Sequence, residues 1–121
     1  MIPAEVDRLA IEGRWRNATG SVIVAITPCG DAMCGRVEWA SEQAQADARR
    51  GGTDPLIGVE VLSRVELKRH RRWRGSLFLP DANRRAAAEL RLLEFDQLKV
   101  TGCAVGRIIC KSEIWTRADE Q

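Results

Sequence analysis

Short runs of alternating apolar and polar residues, cut at near-regular intervals by turn-forming residues, constrain this chain more than any other feature. Ser21 to Thr27 (SVIVAIT) is rich in β-branched residues and reads as a strand. Cys34 to Ala40 alternates, with Val37 and Trp39 on one face and Arg36 and Glu38 on the other, the period of a half-buried strand. Ile57 to Val65 repeats the pattern through Ile57, Val59 and Val61. Trp73 to Leu79 places Trp73, Gly75, Leu77 and Leu79 together. Gln97 to Gly102 and Lys111 to Arg117 complete the set, and Gly13-Arg14-Trp15-Arg16 starts it. Asn17-Ala18-Thr19-Gly20, Pro28-Cys29-Gly30-Asp31 and Pro80-Asp81-Ala82-Asn83 are turn sequences. The segment from Arg84 to Glu94 has two readings. Its Ala, Leu and Arg content favours helix, but Ala86, Ala88, Leu90 and Leu92 also alternate, and its neighbours are all short strands, so strand is preferred. Eight short strands predict an all-β meander, open or closed into a barrel. Residues 3–12 suit a short helical segment. The polar stretch 41–56 reads as a long connection with a helical turn over 42–49.

A chain of 121 residues is one domain's worth, here a helical segment over 1–12 followed by a barrel over 13–117. Nineteen Lys and Arg against 17 Asp and Glu leave a formal charge of +2, too balanced for a dedicated nucleic-acid binder. No apolar run approaches the ~18–20 residues of a membrane helix. One His and no Tyr remove most histidine-based catalytic and metal schemes. The four cysteines fall in two close pairs, Cys29/Cys34 and Cys103/Cys110, which suits an oxidising compartment. Met1-Ile2-Pro3-Ala4-Glu5 lacks the basic and apolar regions of a signal peptide. The two observations agree if Met1 heads a mature chain whose export signal has been removed.

Several residue patterns occur together. Gly13-x-Trp15 is followed by Pro28-Cys29-Gly30 and Met33-Cys34-Gly35-Arg36-Val37-x-Trp39. Asp47 and the Gly52-to-Gly58 stretch come next, then Trp73-x-Gly75 leading to Pro80-Asp81. Leu98-Lys99-Val100-x-Gly102-Cys103 runs on to Cys110-Lys111-Ser112-x-x-Trp115-x-Arg117. On these residues the chain resembles the family catalogued as domain of unknown function 2147 (DUF2147), small exported bacterial envelope proteins. It departs from the family pattern where Ala82-Asn83-Arg84-Arg85-Ala86 replaces a usual Gly-Lys-x-Tyr segment, and where Thr53 replaces a usual Asn before Asp54-Pro55. The resemblance implies a small eight-stranded up-and-down barrel, lipocalin-like (calycin), in a periplasmic or secreted protein with no established activity.

If the eight strands close up-and-down, alternate connections lie at opposite ends. The 41–56 segment, the Pro80–Asn83 turn and the Cys103–Cys110 loop then share one end, the natural mouth. The N-terminal segment and the basic run Lys68-Arg69-His70-Arg71-Arg72 share the other. Closure sets strand eight beside strand one, so Arg117 meets Trp15, a cation–π contact worth ~0.5–2 kcal/mol; with Trp73 and Trp115 these are structural residues. The two cysteine pairs lie at opposite ends, roughly 20 Å apart for strands of about six residues, which favours local bridges Cys29–Cys34 and Cys103–Cys110. Reduced thiols and a zinc site are the alternatives, the latter poorly matched by C-x4-C and C-x6-C spacing.

The inward face would carry Val37, Trp39, Ile57, Val59, Val61, Trp73, Leu77, Leu79, Leu90, Leu92, Leu98 and Val100. A barrel of this size is either filled by side chains or holds one small ligand. Trp39, Ile57 and Leu79 should lie near the mouth, with Asp47, Asp54, Asp81 and Glu113 around it, the pattern of a small-molecule site. Asp54 and Asp81 are equally good turn residues. The first functional expectation is a binder, rather than an enzyme, for a small apolar or amphipathic ligand. The second is an interaction protein with a filled barrel, working through its loops or through Lys68, Arg69, Arg71 and Arg72 on an anionic surface. A third, acid–base hydrolysis by Glu113 with Asp47 or Asp81, has nothing in the spacing to demand it. The only His, His70, sits at the end opposite the mouth, so a Ser–His or Cys–His pair is poorly placed there. No cofactor or metal motif is present.

Overall fold

The computed structural model describes residues 7–104 and 109–118. Eight strands close into a barrel in chain order, β1 through β8. They are β1 Gly13–Arg16, β2 Val22–Cys29, β3 Ala32–Ala40, β4 Glu60–Arg69, β5 Arg72–Leu79, β6 Arg84–Glu94, β7 Gln97–Ala104 and β8 Ile109–Arg117. Every neighbouring pair is antiparallel, and the seam is closed by β1 on β8 through Trp15↔Arg117 and Arg16↔Thr116. One α-helix, α1 (Glu42–Arg50), occupies the β3–β4 connection. Of the helical segment expected over residues 3–12, residues 3–6 lie outside the described residues; Asp7 and Arg8 are helical and run into a 3-10 turn at Leu9–Ile11.

The ambiguous run Arg84–Glu94 is strand along its whole length. Ala86, Ala88, Leu90 and Leu92 are buried while Ala87, Glu89 and Arg91 are exposed. Period-two burial against β5 and β7 overrides the local helix propensity. Where β5 passes β4, Gly75 permits a close approach: a Cβ there would lie 2.7 Å from the Ser63 carbonyl oxygen.

Two inward assignments need correction. Trp39 points outward and is 45% exposed. The pairing of β2 with β3 steps from Ile23↔Trp39 to Val24↔Val37, which leaves Glu38 as an extra residue. Such a bulge reverses the alternation beyond it, so Val37 and Ala40 face in while Glu38 and Trp39 face out. Ile57 is likewise outside, 43% exposed, because β4 begins only at Glu60. The chain turns at Ile57–Gly58, with the Gly58 amide donating to the Val37 carbonyl at 2.8 Å and the Val59 amide to the Leu56 carbonyl at 3.1 Å. Leu56 takes the buried place that the alternation gave to Ile57.

The base of the barrel is solid. Trp15, Trp73, Ile11, Ile26, Met33, Leu62, Leu90, Leu98 and Val65 are the largest fully buried side chains. Trp15 donates its Nε1 to the Ile11 carbonyl at 2.9 Å. The Arg117 guanidinium lies over the Trp15 ring at 4.3 Å, as the closure argument required, and also over the Phe95 ring at 4.6 Å. Its three nitrogens donate to the carbonyls of Phe95, Glu12 and Ala10, each at 2.8 Å. One residue therefore knits β8, the β6–β7 turn and the N-terminal segment beneath β1. Cys29 is bonded to Cys34 and Cys103 to Cys110, with Cα separations of 5.9 and 4.0 Å. The pairing is local at opposite ends, and no thiol is left free for the reduced or zinc-bound alternatives.

Candidate ligand-binding cavity

Above the packed base the barrel is open. A cavity of about 750 Å³ occupies the mouth. Its wall comes from inward-facing apolar residues of five strands: Val22 and Val24 of β2, Val37 of β3, Val61 of β4, Leu77 and Leu79 of β5, and Trp115 of β8, with Leu56 added from the connection before β4. Its rim comes from the connections that the up-and-down topology gathers at this end. The β1–β2 turn supplies Asn17, Thr19 and Ser21, α1 supplies Gln43, Ala44 and Asp47, and the β5–β6 turn supplies Pro80, Asp81 and Ala82. Lys111 and Glu113 of β8 bring a cation and a carboxylate to the same rim.

Local sequence explains how these side chains are held. Asn17 forms the first turn: its Oδ1 accepts from the amides of Ser21 (2.9 Å) and Val22 (3.0 Å). Ser41 caps α1 by accepting from the Ala44 amide at 3.1 Å, and Arg49 and Arg50 sit in its last turn, both favourable placements. Ala48 anchors the helix in the core. The far end of α1 is clasped to the β5–β6 turn: Thr53 Oγ1 donates to the Pro80 carbonyl at 2.9 Å, and Gly51 lies so close to Asp81 that a Cβ would fall 1.9 Å from its carbonyl oxygen. The helix thus covers one side of the mouth and is fixed at both ends.

Glu113 is engaged rather than free. Its Oε1 accepts from Trp115 Nε1 and from the Ala18 amide, both at 3.0 Å, so the carboxylate ties β8 to the β1–β2 turn. Asp47 is paired along the helix with Arg50 and accepts from Gln43 Nε2. The arrangement offers an apolar pit with polar groups confined to the rim.

Of the residues picked from sequence for this mouth, Leu79, Asp47, Asp81 and Glu113 line the cavity; Trp39, Asp54 and Ile57 do not. Trp115, expected only as a structural residue, forms part of the wall. Trp73 lies in the base, 1% exposed, with an Nε1 that has no hydrogen-bond partner among the described residues. Sequence reasoning missed Leu56, Lys111 and Asn17. Lys111 was findable, because it alternates with Glu113 and Trp115. Leu56 was not, because the turn at Ile57–Gly58 has no signal beyond one glycine.

A family model described as "Uncharacterized protein conserved in bacteria (DUF2147)" matches residues 13–117. A comparison with curated proteins finds no match. Among solved structures, the chain is similar to one described as "Protein HP1028 from the human pathogen Helicobacter pylori belongs to the lipocalin family". The TM-score is 0.69 at 10% identity, over 91% of this chain and 84% of that one. At that identity the likeness is one of fold: a lipocalin-like barrel.

Proposed function

Because the chain belongs to the bacterial family DUF2147, described only as uncharacterized, its activity has to be read from the barrel, and we propose that it binds a small apolar or amphipathic ligand in the mouth, without catalysis. The observation that carries this reading is the open cavity of about 750 Å³ above a base that is fully packed. Ligand sites are concave, mostly apolar and furnished with a few polar groups, typically ~300–1,000 Å³ in volume. The apolar body of the ligand packs against Leu79, Leu77, Val61 and Trp115, and its polar end meets Asp47, Asp81, Lys111 or Glu113 at the rim. Trp39, Asp54 and Ile57 have no part in it. Glu113 Oε1 holds Trp115 and the Ala18 amide, which orients the carboxylate at the rim and supports a positioning role over acid–base work. The two disulfides fit an oxidising compartment such as the periplasm.

The test is titration of a fluorescent fatty-acid analogue into the unreduced protein, alongside Val61→Trp, which places an indole in the empty space. Uptake by the wild type, weakened about tenfold or more by the indole while the barrel remains folded by circular dichroism, supports the reading. Uptake that Val61→Trp leaves unchanged puts the ligand elsewhere and overturns it.

A further inference from the structure

The barrel register assembles a second feature, on the outer wall near the base. Arg72 of β5 is paired with Arg91 of β6, and Arg91 with Lys99 of β7. Adjacent strands lie ~5 Å apart, so the three cations form a row about 10 Å wide. Like charges directly opposite on neighbouring strands are destabilising, and among the described residues none of the three is in an ion pair. A groove of about 490 Å³ runs along this row and adds Lys68, Arg69 and Arg74. Lys68 and Arg74 are partly answered by Glu66 (3.1 Å) and Glu89 (3.8 Å), both exposed pairs of little strength.

The two strands that carry Arg91 and Lys99 are joined by a turn with an exposed ring. Phe95, in the β6–β7 turn, is 75% exposed. Arg71 of the β4–β5 tip reaches across to the end of β6, donating Nη1 to the Leu93 carbonyl at 3.4 Å. The Phe95 ring, in the turn between those two strands, is backed by the Arg117 guanidinium. With Arg71 and Arg117 included, this corner carries eight cations against four carboxylates (Glu66, Glu89, Glu94 and Asp96), a surplus of four, with His70 at the β4–β5 tip.

We propose that this corner docks on an anionic phospholipid surface. A row spread across three strands matches an array of headgroups better than a single phosphate. The exposed ring gives an apolar contact that a bilayer interface rewards and a soluble polyanion does not. A single-stranded nucleic acid would want several aromatic stacking platforms along the cations, and this corner exposes a single ring, Phe95, while Trp73 of the groove is buried. The surface is separate from the mouth cavity and does not depend on what binds there.

Vesicle co-sedimentation tests it, with phosphatidylcholine alone against vesicles holding about 30% phosphatidylglycerol, at ~50 mM and ~500 mM salt. Retention on the anionic vesicles alone, lost at high salt, is the expected result. Arg91→Glu, an exposed change, should weaken retention about tenfold or more. It should also raise the melting temperature, because the new carboxylate sits between Arg72 and Lys99; a merely solvated surface would give the second effect without the first. Phe95→Ala should weaken retention severalfold. Equal retention on both vesicle types, or no response to Arg91→Glu, overturns the proposal. So does displacement by soluble tripolyphosphate at equal phosphate together with indifference to Phe95→Ala, which would make the groove a site for free polyanions.

Discussion

Replacing Arg117 with Ala should cost the barrel about 3 kcal/mol of unfolding free energy. Its hydrogen bonds to the Phe95 and Glu12 carbonyls face solvent and are worth about 0.5–1 kcal/mol each; the better buried bond to Ala10 is worth about 1.5 kcal/mol. The ring contacts with Trp15 and Phe95 add roughly 0.5–1 kcal/mol. These terms share one side chain and are not strictly additive, which holds the total near 3 kcal/mol, a fall of ~12 °C in melting temperature at this chain length. The assay is urea unfolding followed by tryptophan fluorescence, since Trp15 reports directly on the seam. Arg117→Lys keeps the charge but not the planar fork that reaches three carbonyls at once, and should recover less than half of the loss. An Arg117→Ala cost below about 1 kcal/mol, or full rescue by Lys, would refute the view that this residue locks the seam.

Gly51→Ala should destabilise by about 1–3 kcal/mol and shift the helix away from the β5–β6 turn, seen as faster amide exchange across α1 with the base protected as before. Removing the first disulfide by Cys29→Ser with Cys34→Ser should cost about 2 kcal/mol on the loop-entropy model, read by thermal unfolding without reductant. Trp73→Phe removes a buried donor that has no partner among the described residues, so its cost in urea unfolding should stay below the ~3 kcal/mol typical of truncating a core aromatic.

The eight-stranded meander was legible in the sequence because alternation and turn residues pointed the same way, while its closure into a barrel was what the resemblance to DUF2147 implied. Ala86, Ala88, Leu90 and Leu92 identified β6 against their own helix propensity. Arg117 and Trp15 were brought together by topology alone. What escaped was whatever depended on one residue more or less. The bulge at Glu38 turned Trp39 out of the mouth, and the turn at Ile57 handed its place to Leu56. An extra residue leaves no mark on composition or spacing, yet it reverses every side chain that follows. The row Arg72–Arg91–Lys99 escaped for a different reason. Its members are far apart in the chain, and only strand register joins them.

None of the nine largest fully buried side chains touches the cavity. The largest buried side chains and the polar rim of the mouth lie at two depths of the same barrel, joined by Val24, Val37, Leu56, Val61 and Trp115, which belong both to the core and to the cavity wall. Mutations at the exposed rim, such as Asp81, Ala82 or Lys111, can therefore accumulate without drawing on the stability held by Trp15, Trp73 and their neighbours. Such a vessel can be refitted for a new content while its foundation stays as it is, and drift among relatives should concentrate above the level of Trp115.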